Sequence, residues 1–228
     1  MVQIRATGPA EKTREKKREI LAAASRVFRR KGLHATGMRD VASELGMAVG
    51  NLYYYFQDKE DLLAFVQEST LNGLLQLAAG VRRLGVPAEQ KLFLLTAGHV
   101  VLLNEWTPGS LAHLEVEALG EDRRRPIQAQ RDAYEQVFRS LIGEGIAAGA
   151  LRPVDGKVAA LAILGAVNWT VKWFRPGGPK SARELGWETA EMLVRGLLAS
   201  GAVWSPPSPS LLETLLPAEV SEPELAEA

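Results

Sequence analysis

The 228-residue sequence predicts an all-α protein, and three observations lead to that fold class. Apolar residues recur at the three- and four-residue spacing of one helical face, first in residues 12–31 and then in several later segments. No segment alternates apolar and polar residues as a half-buried strand does. Glycine and proline separate the periodic segments, for example at Gly32, Gly46 and residues 85–87. We therefore expect helices joined by short turns.

The first part of the chain is predicted to contain four helices. They cover residues 12–31, 38–45, 48–55 and about 59–84. Gly32 and Gly46 end the first two helices, because glycine commonly follows a helix C-terminus. Asp58 and Asp61 stand at the start of the fourth helix, where a carboxylate can cap exposed backbone N–H groups.

The rest of the chain is predicted to be helical up to its last segment. The expected helices cover residues 89–106, 110–119, 126–148, 157–174 and 181–199. From Ser205 the chain is rich in Pro and Glu and has no basic residue, so we expect it to be mostly disordered, with "LLETLL" as a transient helical turn. The predicted domains are residues 1–58, residues 59–203 and a tail of residues 204–228.

Composition limits the classes of protein to which this chain can belong. The absence of cysteine excludes disulfides, thiolate nucleophiles and Cys-based zinc sites. No window reaches the roughly 18 consecutive apolar residues of a membrane span, and the N-terminus lacks the apolar stretch of a signal peptide. We therefore expect a cytoplasmic protein with no membrane partner.

The formal net charge of zero hides an uneven distribution of charge along the chain. Residues 1–60 contain twelve Lys and Arg against seven Asp and Glu, whereas residues 61–228 contain fifteen against twenty. A basic N-terminal part on an acidic remainder indicates that a polyanion binds to the N-terminal part only.

The aromatic run "NLYYYF" lies on the second of two short helices that a glycine turn separates. This arrangement has the dimensions of a helix-turn-helix, in which the second helix enters the major groove of DNA. On a 3.6-residue period Leu52 and Phe56 pack inward against Phe28 and Val41. The aromatic rings are thus predicted to divide into core residues and residues that face phosphate or solvent.

The run "TGMRDVASELGMAVGNLYYYFQDKEDLL" resembles the DNA-binding signature of the TetR family of bacterial transcriptional regulators. The matching positions are Thr36, Asp40, Val41, Ala42, Gly46, Gly50, Leu52, Tyr53, Tyr55, Phe56, Lys59 and Leu62. Two positions depart from the family pattern: Gly37 stands where a Ser or Thr cap is usual, and Ala48 where Ser is common. The resemblance implies an N-terminal three-helix DNA-binding domain and a C-terminal helical domain for ligand binding and dimerisation.

Carried onto this sequence, the resemblance implies a set of DNA-binding residues. Those implied to face the major groove are Arg39, Val49, Gly50, Asn51 and Tyr54, and those implied to hold the DNA backbone are Thr36, Tyr53, Tyr55 and Lys59. Arg39 could contact guanine and Asn51 adenine, each worth about 1–3 kcal/mol of discrimination. The basic arm "EKTREKKR" could reach a minor groove or phosphates, or simply form a solvated helix face.

The resemblance also implies a homodimer that pairs through its last two helices. These helices carry more apolar residues than one core face needs, although each could equally belong to the core of its own chain. The residues concerned are Leu161, Ile163, Leu164 and Val167 on one helix, with Trp187, Met192, Leu193, Leu197 and Leu198 on the other.

The stretch "GAVNWTVKWFRPGG" is similar to a segment of the family branch that responds to acyl-CoA thioesters, which includes the FadR and PaaR regulators. An acyl tail needs an apolar cavity, which Trp169 and Trp173 would help to line, and the CoA phosphates need cations. Solvated arginines and core tryptophans are the alternatives. The candidate ligand-binding residues are Trp106, His113, Arg123, Arg124, Arg131, Asn168, Trp169, Lys172, Trp173 and Arg175.

The function that these features imply is a repressor that binds an inverted repeat and is released by an acyl-CoA or aryl-CoA effector. A regulator of drug-efflux type with another lipophilic ligand, or an activator, remains an alternative. A small acyl-CoA-binding enzyme is a remote alternative, since no catalytic motif stands out. His99 and His113 have no Asp or Glu at clear metal-ligand spacing, so ordinary buried histidines are expected, with no metal and no cofactor besides the effector.

Overall fold

A computed structural model describes residues 9–106 and 115–216 of the chain. Within these ranges the protein is helical, and its only β pairing is an isolated bridge between Leu151 and Leu198. The helices are α1 (Pro9–Lys31), α2 (Met38–Glu44), α3 (Val49–Tyr53), α4 (Lys59–Arg83), α5 (Ala88–Val101), α6 (Glu121–Ala147), α7 (Gly156–Trp173), α8 (Ala182–Arg195) and α9 (Pro209–Leu215). This confirms the predicted all-α fold class.

Several helix boundaries differ from the predicted ones. The helix predicted over residues 48–55 ends at Tyr53, so Tyr54 and Tyr55 lie in the turn that follows. Helix α6 begins at Glu121, five residues before the predicted start, and includes Pro126. Two acidic residues in its first turn favour the helix N-terminus and start α6 ahead of the proline.

The segment between α5 and α6 was predicted to contain a helix over residues 110–119. Residues 107–114 lie outside the described part of the chain. Of the remainder, Val116–Ala118 forms a short 3₁₀ turn rather than an α-helix. Directly after α5, residues Leu102–Trp106 form a π-helical turn, a form that sequence periodicity does not reveal.

The chain divides into two compact units. The N-terminal unit comprises residues up to Ser69 together with residues 107–127, and the C-terminal unit comprises Thr70–Trp106 and the residues from Gln128 onward. Both α4 and α6 therefore contribute residues to each unit. The predicted boundary after residue 58 would have placed the whole of α4 in the second domain.

The N-terminal unit has a core built from α1 to α4. Phe28, Val41, Leu52 and Phe56 are all buried, which confirms the predicted inward face of the aromatic run. The ammonium group of Lys17 lies 5.1 Å from the centroid of the Phe56 ring, at cation–π distance. Tight packing here fixes the orientation of α3.

The C-terminal unit has α5 at its centre. Every residue of α5 from Leu92 to Val101 is buried, so this helix is covered on all sides by the rest of its unit. Trp187 of α8 packs edge-on against Phe93 of α5, with ring centroids 4.7 Å apart.

The segment from Trp204 to Leu216 packs within the C-terminal unit, whereas the sequence predicts mostly disorder from Ser205 with a transient helical turn at "LLETLL". Trp204 packs against Phe93, and α9 places Leu212 in a buried position. Leucines three and four residues apart give this short helix an apolar face, and tertiary packing stabilises it although an isolated helix of this length would not form. The remaining residues of the predicted tail lie outside the described part of the chain.

Candidate nucleic-acid interface and ligand site

The turn between α2 and α3 places the second short helix at a defined angle to the first. Gly46 adopts a φ of 62°, in the left-handed region that favours glycine. The amide of Met47 then donates to the carbonyl of Ala42 at 3.0 Å, which closes the end of α2. A helix-turn-helix of this kind needs a glycine at the turn for that reason.

The start of α2 shows how the chain compensates for the missing Ser or Thr cap at residue 37. The amide of Gly37 donates to the Asp40 carboxylate at 2.8 Å. That hydrogen bond, followed by one from Lys31, lowers the pKa of Asp40 below its ordinary value. The carboxylate half of a capping box is therefore retained without the hydroxyl half.

The residues of α3 and the next turn divide sharply by exposure. Tyr54 is 81% exposed and Tyr53 is 50% exposed, whereas Leu52 is completely buried. Gly50 and Asn51 are exposed as well, while Val49 and Tyr55 are half-buried. The Tyr54 and Tyr55 rings meet edge to face at 5.1 Å, which stiffens the exposed end of the motif.

The basic residues around the motif differ in their freedom to bind a partner. Arg26 and Arg30 of α1 pair with Glu44 of α2 at 2.8 Å each, and Lys31 pairs with Asp40 at 2.6 Å. Arg39 is exposed and makes no ion pair or side-chain hydrogen bond with any described residue. Of these cations, Arg39 alone keeps its full donor set for an external partner.

Two residues predicted to hold the DNA backbone make hydrogen bonds within their own unit. Thr36 is buried, and its hydroxyl donates to the carbonyl of Gly32 at 2.7 Å. Lys59 donates to the carbonyl of Leu33 at 2.6 Å, and burial lowers the pKa of its ammonium group. Both side chains hold the loop between α1 and α2, and their contact with phosphates stays a prediction.

Arg123 was predicted to bind CoA phosphates, and the structure places it beside two carboxylates. Its guanidinium lies 2.9 Å from the Asp58 carboxylate and 3.9 Å from that of Glu60. Glu60 also accepts a hydrogen bond from the amide of Gly120 at 2.7 Å. Arg123 therefore joins the start of α6 to the start of α4 inside the N-terminal unit. Its neighbour Arg124 is exposed.

The C-terminal unit contains a buried polar network that centres on His99 of α5. One imidazole nitrogen, Nε2, lies 3.0 Å from the side-chain oxygen Oδ1 of Asn168, and the other, Nδ1, lies 3.0 Å from the Tyr134 hydroxyl. Burial lowers the pKa of His99 to about 4, so the ring is neutral near neutral pH. Since the Asn168 oxygen only accepts, Nε2 carries the proton and Nδ1 accepts from Tyr134. His99 is thus a buried, hydrogen-bonded histidine, as expected.

A second polar pair lies on the same helices. Asn104, in the π-helical turn, donates to the Thr170 hydroxyl of α7 at 2.9 Å, and Thr170 donates to Val167 at 2.7 Å. Arg131 of α6 is half-buried and lowers the pKa of His99 further. Sequence reasoning selected Asn168 and Arg131 as candidates but not Asn104, Tyr134 or Thr170; Asn104 and Tyr134 lie in no motif, and Thr170 lies in the tryptophan-rich stretch.

The two tryptophans predicted to line an interior cavity are on the surface. Trp169 is 60% exposed and Trp173 is 53% exposed, and both lie on the outer face of α7. Lys172, which lies 5.8 Å from the Trp169 ring, and Arg175 are exposed as well. The side chain of Trp106 and the whole of His113 lie outside the described part of the structure.

The residues predicted to pair two chains divide into two groups. Leu161 and Met192 are exposed, whereas Ile163, Val167 and Leu197 are buried within their own chain. The other members of the predicted set are half-buried: Leu164, Trp187, Leu193 and Leu198. The buried residues therefore form intrachain core, one of the two alternatives that the sequence leaves open.

Other kinds of site find little support in the described residues. They contain no cluster of three or more His, Asp or Glu that could hold a metal ion. None of the described helices is both long enough and apolar enough to cross a bilayer.

Comparison with known proteins supports the interpretation of both units. The family described as "Bacterial regulatory proteins, tetR family" matches residues 20–66, and "Tetracyclin repressor-like, C-terminal domain" matches residues 85–197. The chain is 32% identical over 140 residues to the "Uncharacterized HTH-type transcriptional regulator YfiR" of Bacillus subtilis (strain 168), which covers 60% of this chain and 68% of YfiR.

Two further relatives match over most of their length. The chain is 26% identical over 190 residues to the HTH-type transcriptional repressor KstR2 of Mycobacterium tuberculosis (strain ATCC 25618 / H37Rv), which covers 80% of this chain and 93% of KstR2. The crystal structure of AibR in complex with isovaleryl coenzyme A and operator DNA is 26% identical, with a TM-score of 0.68, and covers 80% of this chain and 98% of AibR. These relatives are transcriptional regulators and not enzymes. The chain therefore belongs to the TetR family of bacterial transcriptional regulators.

Proposed function

We propose that this regulator is a repressor that binds an inverted-repeat operator as a homodimer and leaves it when an acyl-CoA or aryl-CoA thioester binds. The observation that carries the proposal is the exposed face formed by Arg39, Gly50, Asn51 and Tyr54. These side chains have no role in the core of their own unit. Binding to an external partner explains why the Arg39 guanidinium, the Asn51 amide and the Tyr54 phenol are held together on one rigid motif.

The chemistry of this face suits the major groove. Arg39 can bind guanine O6 and N7, and Asn51 can bind adenine N6 and N7, each in a bidentate manner. A Cβ atom added at Gly50 would meet no atom within 4 Å, so internal packing does not require glycine there. A glycine at this position would let helix α3 approach DNA closely. Tyr53 and Tyr54 can donate to phosphates at the edge of the contact.

Dimerisation through α7 follows from an exposed apolar stripe on that helix. Val158, Leu161, Trp169 and Trp173 are all about half exposed or more, and they recur at three- and four-residue intervals with Gly165 between them. Met192 of α8 is exposed too. Apolar residues in one continuous row on a soluble protein mark an interface, and a second copy of the chain offers the matching row.

A dimer of this kind places two recognition helices about one turn of DNA apart, roughly 34–36 Å, as an inverted repeat requires. Replacing Leu161 with Glu would bury a charge in that interface, so we expect at least a tenfold rise in the dimer dissociation constant. Sedimentation velocity measures it, with Leu161→Met as the control. A variant that remains dimeric over the same concentration range would contradict the α7 interface.

The effector proposal rests on the polar network of the C-terminal unit and on AibR. AibR has been solved with isovaleryl coenzyme A and operator DNA. In this chain the buried groups of α5, α6 and α7 are neutral hydrogen-bonding groups among apolar residues, with Arg131 half-buried beside them. Such a site suits a neutral thioester better than an unpaired carboxylate. Lys172 and Arg175 are exposed cations of the same unit that could meet CoA phosphates.

Release from DNA then follows from linkage. An effector shifts the balance between two arrangements of the protein only by its difference in affinity for them. If the effector prefers the arrangement with lower operator affinity, its binding weakens DNA binding by the same factor. A different lipophilic ligand would act in the same manner, and an activator would differ only in the sign of the transcriptional effect.

The test is a titration of a fluorescent duplex, selected from random DNA, with the purified protein. Isovaleryl-, octanoyl-, palmitoyl- and phenylacetyl-CoA are added in turn, with free CoA and the free acids as controls. We expect selection of an inverted repeat and its release by one class of thioester only. Selected DNA that no thioester releases would contradict the effector, and a selection that yields no inverted repeat would contradict the dimeric operator complex.

A further inference from the structure

The π-helical turn Leu102–Trp106 continues directly from α5 and interrupts its regular geometry. A π turn accommodates one extra residue and is rare, and such turns frequently occur at functional sites. Its neighbouring residues Asn104 and Glu105 differ in environment: Asn104 is buried and Glu105 is exposed. The turn therefore connects the interior of the C-terminal unit with its surface.

Asn104 has an acceptor in this interior that no described residue satisfies. Its Nδ2 group donates to the Val100 carbonyl at 2.8 Å and to the Thr170 hydroxyl at 2.9 Å. The orientation of the amide is fixed, because the Val100 carbonyl can only accept. Its Oδ1 atom is buried and has no hydrogen-bond partner among the described residues. A buried acceptor in that condition costs free energy, which a ligand that donates a hydrogen bond would recover.

Glu105 is held on the other side of the turn by Arg183 of α8. The Arg183 guanidinium pairs with Glu105 and also with Glu213 of α9, the latter at 3.0 Å. Arg183 thus joins the π-helical turn to the C-terminal segment of the chain. The residues 204–216, together with Arg183 and Glu105, are called the clasp below.

The clasp is anchored by apolar packing as well as by charge. Leu212 and Leu216 are buried, and the Trp204 indole donates to Glu191 of α8 at 3.3 Å. A Cβ atom at Gly80 of α4 would lie 2.8 Å from Leu215, so the glycine makes room for α9. The C-terminal family match ends at residue 197, ahead of this whole segment. Residues 204–216 of the clasp therefore lie beyond the domain that the family match describes.

We infer that the π-helical turn is an effector contact in which Asn104 Oδ1 accepts a hydrogen bond from the ligand, and that the clasp holds the turn in the geometry that presents it. The ligand class is an otherwise apolar molecule with an N–H or O–H donor. The two amide N–H groups of a pantetheine arm meet this requirement, whereas an ionised free acid carries no donor. This inference rests on the proposed effector function and specifies its chemistry.

The first experiment replaces Asn104 with Leu, which has similar size and no acceptor. Leu also lacks the Nδ2 donor, so we expect a lower thermal midpoint from the two lost hydrogen bonds, and binding is compared at a temperature where both proteins are folded. We also expect the thioester concentration at half-release of the operator to rise at least tenfold. Thr96→Val is the matched control, since the Thr96 hydroxyl is also buried on α5 but is satisfied by Leu92. Its half-release concentration should stay at the wild-type value.

Either of two results would overturn the role of Asn104. An equal rise in half-release concentration for N104L and T96V would show that the loss of a buried hydrogen bond, and not the loss of the Asn104 acceptor, causes the change. An unchanged half-release concentration would show that the effector does not contact it.

The second experiment loosens the clasp with Leu212→Ala, and Thr214→Ala on the exposed side of α9 is the control. We expect a half-release concentration about fivefold higher for L212A, at the low end of typical coupling between sites. We also expect faster amide hydrogen exchange in residues 102–106 without any ligand. Glu213→Gln removes the ion pair with Arg183 and no apolar contact. It should raise the half-release concentration and the exchange rate as well, and it replaces L212A in the test if L212A is poorly folded.

The hydrogen-exchange measurement tests the clasp separately from the proposed effector. If no thioester releases DNA from the wild-type protein, the proposed effector and its pantetheine donor are both wrong. Exchange in residues 102–106 then still tests whether the clasp holds the π-helical turn, and faster exchange in L212A supports that role. Exchange equal to that of wild type and of T214A overturns it.

Discussion

The two units place their polar groups in opposite environments. The N-terminal unit exposes Tyr53, Tyr54 and Asn51 on a rigid motif, whereas the C-terminal unit buries His99 and Asn104 in its interior. DNA is large and meets a protein at its surface, so its readout needs side chains that stand out from a firm core. A small effector can be enclosed, and there an unpaired donor or acceptor selects strongly because no water replaces the missing partner.

The exposed face of the N-terminal unit depends on the packing of the core beneath it. Replacing Phe56 with Ala removes a fully buried ring beneath α3, so we expect a loss of about 3–5 kcal/mol in the free energy of unfolding. Urea denaturation measures this change. Tyr54→Ala, two residues away and 81% exposed, should leave stability within about 0.5 kcal/mol of wild type. Equal losses for the two variants would show that the face and the core are not separate.

A pH titration tests the buried network of the other unit. The pKa of His99 is lowered to about 4 from the ordinary 6.5, so the unfolded chain binds its proton between these values and the folded chain does not. Stability should therefore fall as pH drops from about 6.5 to 4, by at most about 1.4 kcal/mol per pH unit from this residue.

The control for that titration is His99→Gln, which keeps hydrogen-bonding groups but does not titrate. Its unfolding free energy should depend less on pH in the same window. The pKa values of Asp40, Glu44 and Asp58 are lowered below their ordinary values of 3.8 to 4.5, so their stabilisation is lost as pH falls below about 4.5, equally in wild type and variant. An identical slope for wild type and variant between pH 4 and 6.5 would show that His99 does not control stability there.

The smallest expected effect is on DNA recognition by a single exposed residue. Asn51→Ala should weaken binding to the selected duplex by about 1–3 kcal/mol, because one bidentate contact with adenine is lost. The free energy of unfolding should not change, since Asn51 is exposed. Fluorescence anisotropy with the selected duplex and with a scrambled duplex measures the change in specificity. An equal loss on both duplexes would assign Asn51 to phosphate contact rather than base readout.

The local features of the fold could be predicted from the sequence with good accuracy. Glycine at position 46 and the spacing of Leu52 and Phe56 determine the helix-turn-helix, because turn geometry and helix faces depend on residues close together in the chain. The same periodicity predicted the all-α class. Helix ends were less accurate, as α3 and α6 show, since capping and proline placement compete over one or two turns.

The candidate sites could be predicted only in part, because chain proximity does not reveal distant partners. Sequence reasoning assigned Thr36 and Lys59 to DNA, but each bonds to a carbonyl of the loop between α1 and α2. Trp169 and Trp173 share a helix face, as predicted, yet that face is exposed. An amphipathic pattern shows which residues lie together, and only packing decides whether their face is covered by the same chain.

The sequence by itself determined the helical class, the DNA-binding motif and the division of the aromatic run into core and surface. All three depend on contacts within a few turns of helix. Only the tertiary structure decided that Arg123 pairs with Asp58, 65 residues away, and that α9 docks with Leu212 buried. It likewise decided that none of the described groups donates to the buried Asn104 oxygen. These outcomes depend on which charges and cavities distant segments bring together, and that information is absent from local periodicity.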